Sequence, residues 1–275
     1  MPDSWLATEK PVFLSDFGCR SVGGQQKNQS LKEGVICYGR RTFLLNLPKY
    51  HLDIRTLMLM TKKQAIAIIT KCAKQYQQYL EGNQVVFVYR DENNKSNHTA
   101  VRFHSHNFLH FTGVTPRTGM NANGFYRAAL NNRLSENDFS FKNNHTTELK
   151  LKVLGIIMSM DTSARMIGNY TGPHLELYTE KVTGTTTACL GLIQSKDCYI
   201  PNSVLSEDIR SIVPKPPGKI FAIFKKPIGA PLYTQLTYKS KNINITKKCL
   251  PKELLTEVDT SLLEDNNNSD DNEPA

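Results

Sequence analysis

Between Thr99 and Val114, in the stretch TAVRFHSHNFLHFTGV, the hydrophobic repeat changes from that of a strand to that of a helix. Thr99, Val101 and Phe103 alternate with polar neighbours, as in a half-buried strand, whereas Phe108, Leu109 and Phe111 crowd together on a short helix that Gly113 ends. A strand that hands over so quickly to a helix must bury both apolar faces in one place, which requires helices and a sheet to share a core. Three of the chain's seven histidines, His104, His106 and His110, fall on this junction. The ordinary pKa of imidazole lies close to neutrality, so such a cluster is a natural seat for proton transfer or metal ligation. A capping or packing role for any one of the three is the competing reading.

Periodicity on either side supplies the partners of the junction. Thr61 is placed to cap a helix in which Ala65, Ile69, Cys72, Tyr76 and Leu80 recur at helical spacing until Gly82. QVVFVYR (84–90) and HTAVRFH (98–104) flank the polar DENNKSN and read as a hairpin whose face covers that helix. A second helix is expected near Gly124–Leu134, burying Phe125, Ala129 and Leu130 with Arg127 and Arg133 facing out. A third runs from Thr147 to about Met160, with Leu151, Leu154, Ile157 and Met158 as its stripe and Glu148 in its first turn. SARMIGNYTGP reads as a helix end and loop. Strands are expected at HLELYT, TACLGLI, CYIPNSV, KIFAIFKK and YTQLTY, with one helical turn at SEDIR and a short helix at KELLTEV. Helices first and closely spaced strands afterwards predict an α+β fold, with N-terminal helices packed on an antiparallel β-sheet. Residues 1–60 read as an irregular basic extension with one or two strands, 61–246 as the body, and 247–275 as an acidic, mostly disordered tail.

Charge narrows the choice of partner. The net +9 understates the basic character, because Pro251–Ala275 holds eight acids against Lys252 alone, a net of −7 that leaves +16 on residues 1–250. Such an excess favours polyanions, nucleic acid before an anionic membrane, although a merely solvated basic surface would also carry it. The six cysteines are widely spaced and form no CxxC pair, which argues against a compact zinc module. The N-terminus lacks a basic segment followed by an apolar core, and no apolar run approaches a membrane span. Both observations predict a protein of the reducing cytosol with no membrane partner. SVGGQQKNQS lacks the GKS or GKT of a phosphate-cradling loop and reads as a surface turn.

Several blocks in order, FLHFTGV, FYRAALNNRLSENDFSF, TTELKLKVLGIIM, ARMIGNY, LYTEKVTGTTTACLGLI and YIPNSVLSEDIR, resemble the fourth family of phage-type barnase, EndoU, colicin E5/D and RelE-like nucleases, over about residues 62–240. The resemblance implies helices on a small antiparallel sheet, an origin in phages or mobile elements, and metal-independent cleavage of RNA without a cofactor. In that chemistry the ribose 2′-hydroxyl attacks its neighbouring phosphate, which calls for a base, an acid and cations on the phosphoryl oxygens. His110 is the expected base or acid, with Thr112 as an orienting hydroxyl and His106 as the second proton carrier. Lys181 and Arg210 are the expected phosphate holders, though Arg210 has Glu207 and Asp208 as rival partners on its own turn. Tyr178 is available to stack on a base, and Arg127, Arg133, Lys225 and Lys226 are expected to line the nucleic-acid surface.

Other readings compete. His106 and His110 have the spacing that lets two imidazoles meet one metal ion, yet HNFLH lacks the glutamate of HExxH and offers no third ligand beyond His104. No metal is therefore expected. A non-catalytic binder of nucleic acid or of a host or defence protein, acting as a phage counter-defence inhibitor, would use the same basic surface. A toxin-like component restrained by a partner is the third reading.

Overall fold

The structure, a computed structural model, describes residues 60–172, 178–241 and 243–264, together with the backbone of 37–38 and 41–42. The chain divides into two units, Met1–Leu52 and Asp53–Ala275. In the first, β1 (Cys37–Tyr38) pairs antiparallel with β2 (Arg41–Thr42). The remainder of the expected TFLLNL strand lies outside the described residues.

The second unit opens with α1 (Lys62–Tyr79), whose start is written in Thr-x-x-Gln. Thr61 accepts from the Gln64 backbone N–H while the Gln64 side chain accepts from that of Thr61, a reciprocal capping box. Its buried face, Ala65, Ile69, Cys72, Ala73 and Tyr76, is the stripe the periodicity predicts. The hairpin follows as β3 (Asn83–Arg90) and β4 (Ser96–Arg102), in register Val85↔Val101 and Phe87↔Thr99. Its turn is tied by Asp91, which accepts from the backbone of Asn93 and Lys95. Helix α2 (Asn107–Thr112) ends on Gly113 at φ 68°, a left-handed stop where a β-carbon would also lie 2.8 Å from Lys150 Cδ.

Helix α3 is shorter than expected, Ala122–Leu130. Asn132 turns left-handed at φ 54° and breaks the run before Arg133 and Leu134. Two short strands, β5 (Thr115–Pro116) and β6 (Phe139–Ser140), clamp the ends of this segment together. Helix α4 (Thr146–Ile157) and the single turn α5 (Met160–Ser163) complete the helical layer.

The later chain supplies β7 (Met166–Asn169), β8 (Lys181–Gly184), β9 (Cys189–Ser195), β10 (Cys198–Leu205), β11 (Gly218–Pro227) and β12 (Gln235–Lys239). Ile209–Ser211 form the one turn of helix expected at SEDIR. All these strands and the hairpin make one eight-stranded sheet, larger than the small sheet that the resemblance implies. Its order is β12-β11-β3-β4-β10-β9-β8-β7. Every pairing is antiparallel except β4 with β10. Because β7 also pairs with the start of β11, Gly218↔Ile167 and Lys219↔Met166, the sheet curls round and closes on itself. Strands β7 and β8 fall where the sequence reads loop: MIGN and KVTG are too short to alternate visibly, and they exist because closure pairs them on both sides. Of the expected strand HLELYT, residues 174–177 lie outside the described region and Tyr178 and Thr179 are not in a strand.

The two faces of the sheet have different cover. The inner face carries Val85, Phe87, Val101, Leu190, Leu192, Ile220 and Ile223, packed against the helices. On the outer face, Val86, Val88, Phe221 and Phe224 are covered by Tyr233, Ile245, Leu250, Leu254 and Val258. Packing thus continues past residue 246 into the segment read as the start of an acidic tail. There Leu250, Leu254 and Val258 face the sheet, Glu257 and Glu264 pair with Lys226 and Lys239 of its strands, and KELLTEV gives one 3-10 turn at Lys252–Leu254. Residues 265–275 lie outside the described region.

Candidate functional site

The junction between β4 and α2 is held by side chains whose own needs fix it. Buried Asn107 accepts from the His104 N–H at 2.8 Å and donates to the Pro201 carbonyl at 3.2 Å, joining the start of α2 to β10. Tyr76, fully buried, donates its hydroxyl to the His104 carbonyl at 2.9 Å. Phe103, Phe108 and Phe111 lock the other sides of the Tyr76 ring, with centroids 5.5–6.4 Å away. On this platform the His104 and His106 rings stack, 5.3 Å apart and 7° from parallel. His106 is the residue before the first turn of α2 and His110 lies four residues on, so both project on one side of the helix, and both are exposed.

Cations surround these rings. Lys150 of α4 reaches across to donate Nζ to the His110 carbonyl at 2.9 Å, where α2 leaves its last carbonyls unpaired. Burial, and next Lys142, bring the Lys150 ammonium down to about 8. The His110 ring reaches solvent on one side only, and this partial burial, then Lys150, His106 and Lys142, lowers its pKa. That of His104 is lowered by burial, then by His106 and Arg102. Both rings are therefore biased to the neutral form, able to accept a proton. Neither Lys142 nor Lys150 is marked by sequence spacing, since each joins the histidines only when α4 and the segment leading into it dock on α2.

These shifts predict how stability follows pH. Two imidazoles that bind protons less readily in the folded chain weaken the fold as pH falls below about 6.5, where the unfolded chain takes them up. A half-buried Lys150 that releases its proton early strengthens the fold as pH rises above about 8. Thermal unfolding is expected to give a lower midpoint at pH 5.5 than at 7, and a gain between pH 8 and 9.5 that Lys150→Met removes.

The other residues singled out by sequence are dispersed. The Thr112 hydroxyl is buried and donates to the Leu109 carbonyl at 2.8 Å, so it serves the end of its own helix. Lys181 lies on the inner face of β8 with its ammonium 5.2 Å from the Tyr199 ring and 6.0 Å from that of Tyr89. Its neighbour Val182 faces the other way, into the cluster that holds Ile209 and Ile212. Arg210 therefore sits on the opposite side of the sheet from Lys181. It is engaged by Asp208 at 2.5 Å, the rival pairing its own turn offered. No described contact joins His110 to Lys181 or Arg210.

Tyr178 is 81% exposed. Arg127 and Arg133 are exposed, Arg127 leaning on the Asn123 carbonyl of its own helix. Lys225 and Lys226 differ from the expected surface role. Lys225 pairs with buried Asp161 at 2.8 Å, and Lys226 pairs with Glu257 at 2.9 Å and lies over the Tyr233 ring. Their charges are neutralised inside the fold because β11 is a central strand covered on both faces.

Among the described residues no three His, Cys, Asp or Glu side chains converge as a metal site would need, and no helix is long and apolar enough to cross a membrane. A family profile described as phage-Barnase-EndoU-ColicinE5/D-RelE like nuclease4 matches residues 68–242. No curated protein and no solved structure matches the chain.

Proposed function

The chain belongs to the phage-Barnase-EndoU-ColicinE5/D-RelE like nuclease4 family, and from that membership we propose that it cleaves RNA without a metal, using the imidazoles of α2. The observation that carries this reading is one solvent-facing side of α2 bearing His106 and His110, with Lys142 and Lys150 acting on His110.

Each part of the reaction has a group suited to it. His110, biased to its neutral form, takes the proton of a ribose 2′-hydroxyl as that oxygen attacks the adjacent phosphorus. The bond to the 5′-oxygen breaks, and His106 as imidazolium supplies the proton that the leaving oxygen needs. A 2′,3′-cyclic phosphate and a 5′-hydroxyl remain, with no water consumed. Lys150 and Lys142 supply positive charge beside the phosphoryl oxygens as negative charge gathers there. The cations come from α4 and the segment that leads into it, in place of the pair Lys181 and Arg210 expected from the sequence. Cys72, Cys189, Cys198 and Cys249 are free thiols, which suits work in a reducing cytosol.

The test is a 5′-labelled single-stranded RNA incubated with the full chain in excess EDTA. The expected result is scission with cyclic-phosphate ends. RNA that is bound tightly and recovered whole, with or without added divalent metal, would overturn the proposal and leave the non-catalytic binder as the account of the same basic surface.

A further inference from the structure

The basic character of the described fold has an outlet on α1 that the imidazole site does not use. The helix carries Lys62, Lys63, Lys71 and Lys74 and no acid. Lys63, Lys71 and Lys74 line one open groove of about 460 Å³ together with Asn132 and the apolar side chain of Ile66. None of these three lysines has a carboxylate partner among the described residues, in contrast to Lys225, Lys226 and Lys239, each of which does. Lys74 is held by Asn132 Oδ1 at 3.0 Å, a neutral contact that positions the ammonium and leaves its charge intact. Thr70 and Ala67 complete the wall between the lysines. A surface held only for solubility would mix charges of both signs.

We infer that this groove binds the phosphodiester backbone of a nucleic-acid strand, the phosphates meeting Lys63, Lys71 and Lys74 and a sugar edge lying over Ile66. From Lys63 to Lys74 the helix rises about 16 Å, the length of about five phosphates at the spacing of one strand of a duplex. Phosphate contact of this kind holds and positions a strand without reading its sequence. The inference does not rest on cleavage, since a strand held here is bound whether or not the imidazoles act on it. It identifies a second contact surface on an element remote in sequence from the residues expected to bind nucleic acid.

The experiment uses the full chain carrying His110→Ala, so that bound RNA stays whole. Labelled single-stranded RNA and single-stranded DNA of equal length are titrated by fluorescence anisotropy over a range of salt. The comparison is with the same chain carrying in addition Lys63→Gln, Lys71→Gln and Lys74→Gln, changes that keep helix propensity. Circular dichroism and thermal unfolding establish that both chains fold alike. With three fewer phosphate contacts, the slope of log affinity against log salt is expected to fall in magnitude by about 2, with affinity near 0.15 M salt weakened about tenfold or more. An equal loss for RNA and DNA assigns the groove to the backbone; a loss for RNA alone assigns it to contacts that include the ribose 2′-hydroxyl. An unchanged slope, or the same loss from the control set Lys219→Gln, Lys247→Gln and Lys248→Gln, overturns the inference. Cleavage by the parent chain with groove variants that bind normally would sink the groove and leave the nuclease reading, and the reverse pair of results would do the opposite.

Discussion

His110→Ala is expected to lower RNA cleavage about 10²–10⁴-fold, the range for losing a positioned proton carrier. The fold should survive, because the ring is exposed and the residue's one long-range anchor, its carbonyl to Lys150, is backbone. The loss should fall on kcat, with the Kd for uncleaved RNA nearly unchanged, since binding energy in this basic protein resides in its cations. His110→Gln, which keeps a hydrogen-bonding group and loses the titration, should be nearly as inactive. His106→Ala should also be impaired, and the double variant should be little worse than either single change if the two rings act in one proton circuit. Undiminished cleavage by His110→Ala would place the chemistry elsewhere in the fold.

The largest structural effect is expected from Tyr76→Ala. The ring is fully buried, meets Phe103, Phe108, Phe111 and Tyr126, and its hydroxyl is the donor to the His104 carbonyl. Deleting it opens a cavity at the one place where α1, α2, α3 and the sheet meet, at a cost of about 3–5 kcal/mol. Tyr76→Phe keeps the packing and strands only the carbonyl, costing about 1–3 kcal/mol. Chemical denaturation of the pair separates the two contributions. A Tyr76→Phe variant as stable as the parent would show that the hydroxyl does not hold the histidine junction.

Much of the helical layer could be read from the sequence because its cause is local. The Thr61–Gln64 cap, the stripe of α1, the change of period at the junction and the stop at Gly113 all act within a few residues of one another. Strands β7 and β8 could not be read, for their reason lies in partners on both sides supplied by distant segments. The site divides in the same way. The imidazole cluster is legible because His104, His106 and His110 are neighbours in the chain. Lys150 is invisible there, since only the docking of α4 brings it to the His110 carbonyl. The opposite error arises for Lys225 and Lys226, which look like exposed cations until β11 takes its place in the middle of the sheet and Asp161 and Glu257 meet them.

Closure of the sheet has one more consequence. Strands β7 and β12 share one side of β11, lying end to end along it, so each of the other strands of the eight-stranded sheet has neighbours on both sides. Within the eight-stranded sheet β12 is therefore the sole strand with an unpaired rim, five residues long and ending in Lys239, whose ammonium meets Glu264. A short rim that ends in a charged pair offers an incoming strand little to template on. The large sheet thus uses nearly all of its own strand-pairing capacity within the fold and leaves little of it open to self-association.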